Sequence, residues 1–488
     1  MIRHASIARG SGDTVPTDNP QQTTAFSDPL DQAVSVAARS PILLRIDAAG
    51  VLDPAGVALE PGSLVVELSP TGSTPTYAIR VLACDRPGAI DKASTFAGAI
   101  RVSLADSVLI PGLVNAHTHL DLSGVGPRSF DPERPFADWL SMVVRERPRT
   151  DPEIEAAVNL GVDLLRRGGV VAVGDIAGAL GPTPTAIPWK TLAATTLRGV
   201  SFVESFGMGP GRTTAAASVR SLLDAHPAGR SADAPVRLGL SPHAPVSVDR
   251  RVYAELAALA REYGLPLCTH LSESPDEHLF IERGEGPVRA FLESMRLWDE
   301  QGPDGVGEGL TPIGHMAEIL RAGPTIAVHV NDASDRDIEI LAETGTPVVY
   351  CPRASSYFGF DRSLGPHRFR DMRRAGVRVA IGTDSIINLP ASCVEAGGSG
   401  LSTLDDLRLL YQQGDFCPTG GELADLLSMA TIEGAGLLGL DASGFTLSAG
   451  SSPLGIVAVP VDTNRTGASV FDRVFSGDFP PRLLLNGK

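Results

Sequence analysis

Two histidines, His117 and His119, close an apolar run that reads Ile110-Pro-Gly-Leu-Val-Asn-Ala-His-Thr-His119. In a β-strand, residues i and i+2 share a face, so both imidazoles reach the same point, as two ligands of one metal must. With 10 histidines in 488 residues, a His-x-His pair arises by chance in roughly one such chain in five, so the spacing alone says little. Position says more, because other apolar runs end in the same way: Cys268-Thr-His270-Leu-Ser-Glu273, Ala327-Val-His329 and Ile381-Gly-Thr-Asp384-Ser385. Imidazoles and a carboxylate are donors suited to zinc or ferrous iron, with a further position left for water. Each histidine taken singly is more simply a structural or solvent-facing residue. Agreement of residue type, spacing and strand position reverses that balance for the set.

These residues need elements that bring distant strand ends together. From Leu109 onward, brief apolar runs recur at Val170–Asp175, Leu197–Glu204, Val236–Pro242, Leu265–His270, Thr325–His329, Pro347–Cys351 and Val377–Asp384. With the strand before His117 they make eight, and the segments Glu153–Arg167, Arg250–Tyr263, Asp335–Glu343 and Pro366–Ala375 read as helices between them. The pattern predicts an α/β fold, a (β/α)8 TIM barrel, over residues 109–440. A doubly wound sheet has the same alternation but would not focus so many groups, whereas a barrel delivers every strand's C-terminal end to one rim. Flanking it, Ile42–Ile46, Ser63–Leu68, Gly455–Val461 and Ser469–Phe475 are short strands between Gly, Pro and Asp turns. They predict a small composite β-sandwich built from both chain ends, residues 39–108 and 441–488. Residues 1–38 are aperiodic and polar, and are expected to be a mobile tail.

Composition narrows the function. A net charge of −16 and 5% aromatic residues argue against nucleic-acid binding, which asks for a basic face and stacking surfaces. No run reaches the roughly 18 apolar residues of a membrane span, and the first residues contain no apolar signal region, so no membrane association and a cytoplasmic location are expected. Five cysteines, odd in number and never in a Cys-x-x-Cys arrangement, indicate neither a disulfide framework nor a cysteine-based zinc site. The expected partner is a small-molecule substrate, with a homodimer as an open assembly.

The segments Pro111-Gly-Leu-Val-Asn-Ala-His-Thr-His119, His270-Leu-Ser-Glu273 and Gly382-Thr-Asp-Ser385 resemble the metal-dependent amidohydrolase superfamily. More narrowly, they resemble its branch of cytosine and guanine deaminases, chlorohydrolases and methylthioadenosine/S-adenosylhomocysteine deaminases. Leu240-Ser-Pro-His-Ala-Pro245, Val349-Tyr-Cys-Pro-Arg353 and Tyr357-Phe-Gly359 look closest to enzymes that deaminate adenine nucleosides, including aminodeoxyfutalosine deaminases. The resemblance implies one divalent metal, Zn2+ with Fe2+ as the alternative, on His117, His119, His270 and Asp384. It implies Glu273 as proton shuttle, His329 as the group orienting the hydrolytic water or oxyanion, Asp384 as acceptor of the water's proton, and His243 as a substrate-side residue. Hydrolytic deamination of an aminated ring, such as an adenine nucleoside derivative, is the implied reaction. A chlorohydrolase or cyclic-amide hydrolase would use the same centre, and a catalytically inactive scaffold is the reading from another class. The strand Val236–Pro242 has no lysine to become a carbamate bridge, which disfavours a binuclear centre. Asp332 and the C-terminal Leu447-Ser-Ala-Gly-Ser-Ser-Pro-Leu454 depart from the family pattern. Arg353, and Cys351 beside it, are candidate substrate contacts for which packing and an ion pair are an equal explanation. Asp138-Trp139 could belong to a lid, or simply to an amphipathic helix face. His4, His226, His278, His315 and His367 are given no function.

Overall fold

Among the strands ahead of the barrel, Tyr77–Asp85 alternates buried and exposed side chains, whereas the barrel strands are buried almost throughout. The computed structural model describes Leu30, Val34, Val36, Ala37 and residues 39–487 apart from 72–76, 179–182, 299–301, 415–419 and 465–467. The tail expected over residues 1–38 therefore lies almost wholly outside the described residues. The chain opens with β1 (Ile42–Leu52), β2 (Ala58–Leu59), β3 (Gly62–Pro70), β4 (Tyr77–Asp85) and β5 (Ile100–Pro111). In β4, Tyr77, Ile79 and Val81 are buried while Ala78 and Arg80 are exposed, the period-two pattern of a sheet with one wet face.

The barrel strands follow: β6 (Leu113–Thr118), β7 (Val170–Ala177), β8 (Arg198–Ser205), β9 (Val236–Pro242), β10 (Leu267–Leu271), β11 (Thr325–His329), β12 (Val348–Tyr350) and β13 (Val379–Ile381). They are hydrogen-bonded in sequence order, and their registers are parallel. Every residue of β6 and β7 is buried, as expected of parallel strands covered on both faces. The seam is closed by a parallel bridge between Thr118 and Asp384. Across it, His119 N donates to Asp384 O at 2.7 Å and Thr383 N to His117 O at 3.0 Å. The helix Asp151–Arg167, started by a capping box between Thr150 and Glu153, turns Ile154, Val158, Val162 and Leu165 inward. Burying each such side chain stabilises the fold by about 1.5–3 kcal/mol.

β14 (Gly455–Pro460) and β15 (Arg482–Asn486) return the C-terminus to the N-terminal sheet. β14 lies antiparallel to β5, with Ile456 opposite Pro111, and the hydrogen-bonded order is β15-β14-β5-β1-β3-β4, with β2 on β1. The two chain ends thus form one composite sheet domain. One expectation is corrected: Ser469–Phe475 is not a strand. Val470–Ser476 is a helix whose N-cap Ser469 accepts from Asp472 N. Its buried residues Val470, Phe471, Val474 and Phe475 sit at i, i+1, i+4 and i+5, a helical stripe that reads as a strand only if the run is viewed as generally apolar. Among the described residues, no helix is long and apolar enough to cross a membrane.

Candidate metal centre and active site

The first and last barrel strands meet where the candidate ligands lie. Asn115 and Thr383 lock that seam: the Asn115 amide donates to Thr383 Oγ1 at 2.8 Å and accepts from Thr383 N at 3.2 Å. Gly382 is required by close approach, because a Cβ there would stand 2.7 Å from the His117 carbonyl oxygen.

His117, His119 and His270 present ring nitrogens within 4.8 Å of one another, and so do the ligand atoms of His117, His329 and Asp384. His119 Nε2 and His270 Nε2 are 3.2 Å apart, and Asp384 Oδ1 lies 3.5 Å from His117 Nε2 and 3.6 Å from His119 Nε2. A tetrahedral ion with bonds of about 2.0–2.1 Å separates its ligands by about 3.3 Å, so these edges have the right size. His270 Nδ1 lies 2.9 Å from the His243 carbonyl oxygen. It can only donate there, which leaves the Nε2 lone pair facing the cluster.

Electrostatics favour the same reading. Burial holds His117, His119 and His329 well below the usual imidazole range, so they are neutral, the form that binds metal. Burial pushes the Asp384 carboxyl up to about 7. His117 Nε2, His329 Nε2 and Asp384 Oδ2 are buried without a hydrogen-bond partner. Neutral imidazoles crowded on one buried carboxylate are what a divalent cation would satisfy. The donor set therefore fits a divalent metal ion.

Glu273 stands at the edge of this cluster, its Oε1 3.5 Å from His329 Nε2. Burial, with Asp384 and Glu277 as negative neighbours, raises its carboxyl well above the ordinary range. Among the described residues, non-glycine positions with left-handed φ are Ser272, Arg296, His329, Val330 and Asp384. All but Arg296 belong to the turns that end β10, β11 and β13. Such backbone costs of order 1–3 kcal/mol per residue and persists where the surroundings enforce it, typically at functional sites.

His243 is beside the cluster: its ring centroid is 4.9 Å from that of His270 and 5.0 Å from Phe206, and its Nδ1 is 2.7 Å from Ser247 Oγ. Arg353 is placed differently. It forms an ion pair with Asp406 at 2.8 Å, donates to the Ser402 carbonyl at 2.8 Å, and faces Asp405 at 3.5 Å. Those partners occupy the donors a substrate would need and match the ion-pair explanation. Trp139 packs among Phe136 and Phe358 with its indole stacked on Phe136, in the helix Phe136–Glu146.

Several residues of the site are not singled out by sequence reasoning. Arg147, just past that helix, lies 3.0 Å from Asp121 and 3.0 Å from Glu204, with all three side chains buried. Glu204 in turn lies 4.0 Å from His243. Asp175 accepts from Leu120 N at 3.1 Å and from Ser201 Oγ at 3.1 Å. Glu204 and Asp175 carry a signal, since the apolar runs before them end on an acid. Arg147 carries none. His367, given no function, holds the His329 carbonyl at 2.9 Å through Nε2 while stacked on Tyr350, and His278 pairs with Asp332 at 2.6 Å.

The amidohydrolase family profile matches residues 108–452. An aminodeoxyfutalosine deaminase of Deinococcus radiodurans is 33% identical over 304 residues, covering 58% of this chain and 65% of the relative, just under two thirds of its length. A 5-methylthioadenosine/S-adenosylhomocysteine deaminase of Haloarcula marismortui is 28% identical over 369 residues, 74% of each chain. The crystal structure of Helicobacter pylori aminofutalosine deaminase superposes with a TM-score of 0.67 at 20% identity, over 92% of this chain and 99% of that one, a likeness of fold.

Proposed function

Since the chain belongs to the amidohydrolase family, we propose that it hydrolyses a carbon–nitrogen bond of a small molecule, releasing ammonia from the amino-bearing ring of an adenine nucleoside derivative. Support comes from the names of the relatives, which are deaminases of aminodeoxyfutalosine and of methylthioadenosine or S-adenosylhomocysteine. The observation that carries the reading is the Glu273 carboxyl, its pKa raised well above the ordinary range, at 3.5 Å from a neutral, buried His329 beside the cluster of His117, His119, His270 and Asp384.

His117, His119, His270 and Asp384 would hold the divalent ion, zinc by the donor set with ferrous iron as the alternative. When bound, the ion supplies the Lewis acidity that makes a water nucleophilic near neutral pH. Asp384, whose Oδ2 has no partner, takes the proton from the attacking water. Glu273 protonates the ring nitrogen next to the amino-bearing carbon and so makes that carbon electrophilic. His329, in the tautomer protonated on Nε2, donates to the oxygen of the tetrahedral adduct, in a site dry enough for that bond to count. Glu273, now a carboxylate, takes the hydroxyl proton of the adduct and passes it to the departing amino group, and the proton held by Asp384 returns to Glu273. Water and the aminated ring become the oxo ring and ammonia, with no covalent bond to the protein. His243, whose ring lies 4.9 Å from that of His270, would be the substrate-side residue facing the ring.

The test is ammonia release by purified, metal-analysed protein from 5'-methylthioadenosine, S-adenosylhomocysteine and adenosine, against cytosine, guanine and chlorotriazines. Turnover of an adenine nucleoside with about one metal per chain is expected. Chloride release from triazines without deamination would replace the reading with a chlorohydrolase. Absence of both metal and turnover would point to an inactive relative.

A further inference from the structure

The bend that carries Glu273 is unusual backbone, with Ser272 at φ 53°. The amides of Ser272 and Glu273 are both captured by one side chain, Glu277: Ser272 N donates to Oε1 at 2.9 Å and Glu273 N to Oε2 at 2.7 Å. Glu277 is 3% exposed. It lies in the first turn of the helix Pro275–Arg283, whose N-cap Ser274 accepts from the Glu277 amide. In a capping box its carboxylate would bond the N-cap amide, but here it reaches to the two residues before the cap. The opposite side of the bend is tied to β11's turn, where Asn331 donates its amide N–H to the Glu273 carbonyl at 2.9 Å and its backbone N–H to Ser272 O at 2.9 Å.

We propose that Glu277 is a positioning residue for deamination, its bidentate carboxylate setting the bend that aims Glu273 at His329. This rests on Glu273 being the proton carrier. Two backbone donors gripped by two oxygens leave the bend neither translation nor rotation, and only a fully accepting group can take both. Glutamine at 277 would set an NH2 against one of the two backbone N–H groups, releasing one end of the bend. A displacement on the order of 1 Å at a proton-transfer group is enough to cost about 10²-fold in rate.

The experiment is a double-mutant cycle of Glu277→Gln and Glu273→Gln, assayed with 5'-methylthioadenosine, with metal content measured on each variant and amide exchange followed across 271–274. Glu277→Gln is expected to lower kcat roughly 10- to 100-fold with KM and metal content little changed, and to speed exchange at Ser272 and Glu273. In the Glu273→Gln background the same change should add almost nothing to the kcat loss, because the group it positions is already gone. Unchanged exchange in that segment overturns the inference whatever substrate is turned over. A fully additive loss, or wild-type kcat for Glu277→Gln while Glu273→Gln is impaired, also overturns it. Wild-type kcat for Glu273→Gln would instead remove the proton-carrier reading itself. Should Glu277→Gln fail to fold, Glu277→Asp, which keeps the charge and shortens the reach, enters the same cycle with the same outcomes.

Discussion

Replacing Arg147 with methionine is a sharp test of how charge is arranged beneath the site. The guanidinium lies 3.0 Å from Asp121 and 3.0 Å from Glu204, and the side chains of these residues are 10%, 3% and 1% exposed. Methionine fills much of the volume but leaves two carboxylates facing each other out of water. Breaking a single buried pair from one side costs about 3–5 kcal/mol, so Arg147→Met should lose at least that much unfolding free energy at pH 8. The pH dependence follows from Asp121, which burial pushes up to about 6 even with Arg147 pulling it down. Asp175, pushed up by burial to about 7, belongs to the same group of acids. A carboxyl whose folded pKa exceeds its unfolded value near 3.9 leaves stability intact below that value and lowers it as pH rises through the folded pKa. Without Arg147 the folded pKa of Asp121 goes higher still. The deficit of the variant should therefore be largest above pH 7 and shrink as pH falls toward 5. Urea denaturation of both proteins after chelation, at pH 5.5 and 8, measures it. Arg336→Ala, which breaks an exposed pair with Glu339, should have no measurable effect and serves as control. A deficit under about 1 kcal/mol, or one equal at the two pH values, would refute the reasoning.

Three further outcomes are expected. His117→Ala and Asp384→Asn should each lose metal and turnover together while far-UV circular dichroism stays native, and full metal occupancy in either would undo the ligand assignment. Glu273→Gln should keep the metal and lose 10²–10⁴-fold in kcat, about 3–5 kcal/mol of barrier, with KM little changed; metal loss would make Glu273 a ligand instead. Arg353→Ala strands buried Asp406 and should lower stability by about 3–5 kcal/mol while leaving KM near its starting value; a raised KM in a stable protein would return Arg353 to the substrate.

Much of the barrel is legible in the residues alone. β6 to β13 are local objects, set by short apolar runs between turn residues, and a strand's period of two already puts His117 and His119 on one face. The strand boundaries differ from expectation by a few residues, as where β13 stops at Ile381, because the left-handed Asp384 ends the ladder in a way periodicity does not register. Ser469–Phe475 reads wrongly as a strand because a buried helix and a strand are both apolar over seven residues.

Other features exist only in three dimensions. The seam between Thr118 and Asp384 depends on eight strands closing, so nothing near either residue announces the other. Whether Arg353 meets a substrate or Asp406 turns on a helix 53 positions away. Arg147, just past the end of one helix, and Glu277, in the first turn of another, are charged residues for which solvent exposure is the ordinary expectation. Local period and side-chain type dictate which residues stand at strand ends and what chemistry they allow, and both can be read along the chain. Which buried charges face one another, and which backbone bends are held, is settled by tertiary packing. A hydrogen bond or ion pair depends on distances of about 3 Å across elements, and those distances come into being only when the barrel closes.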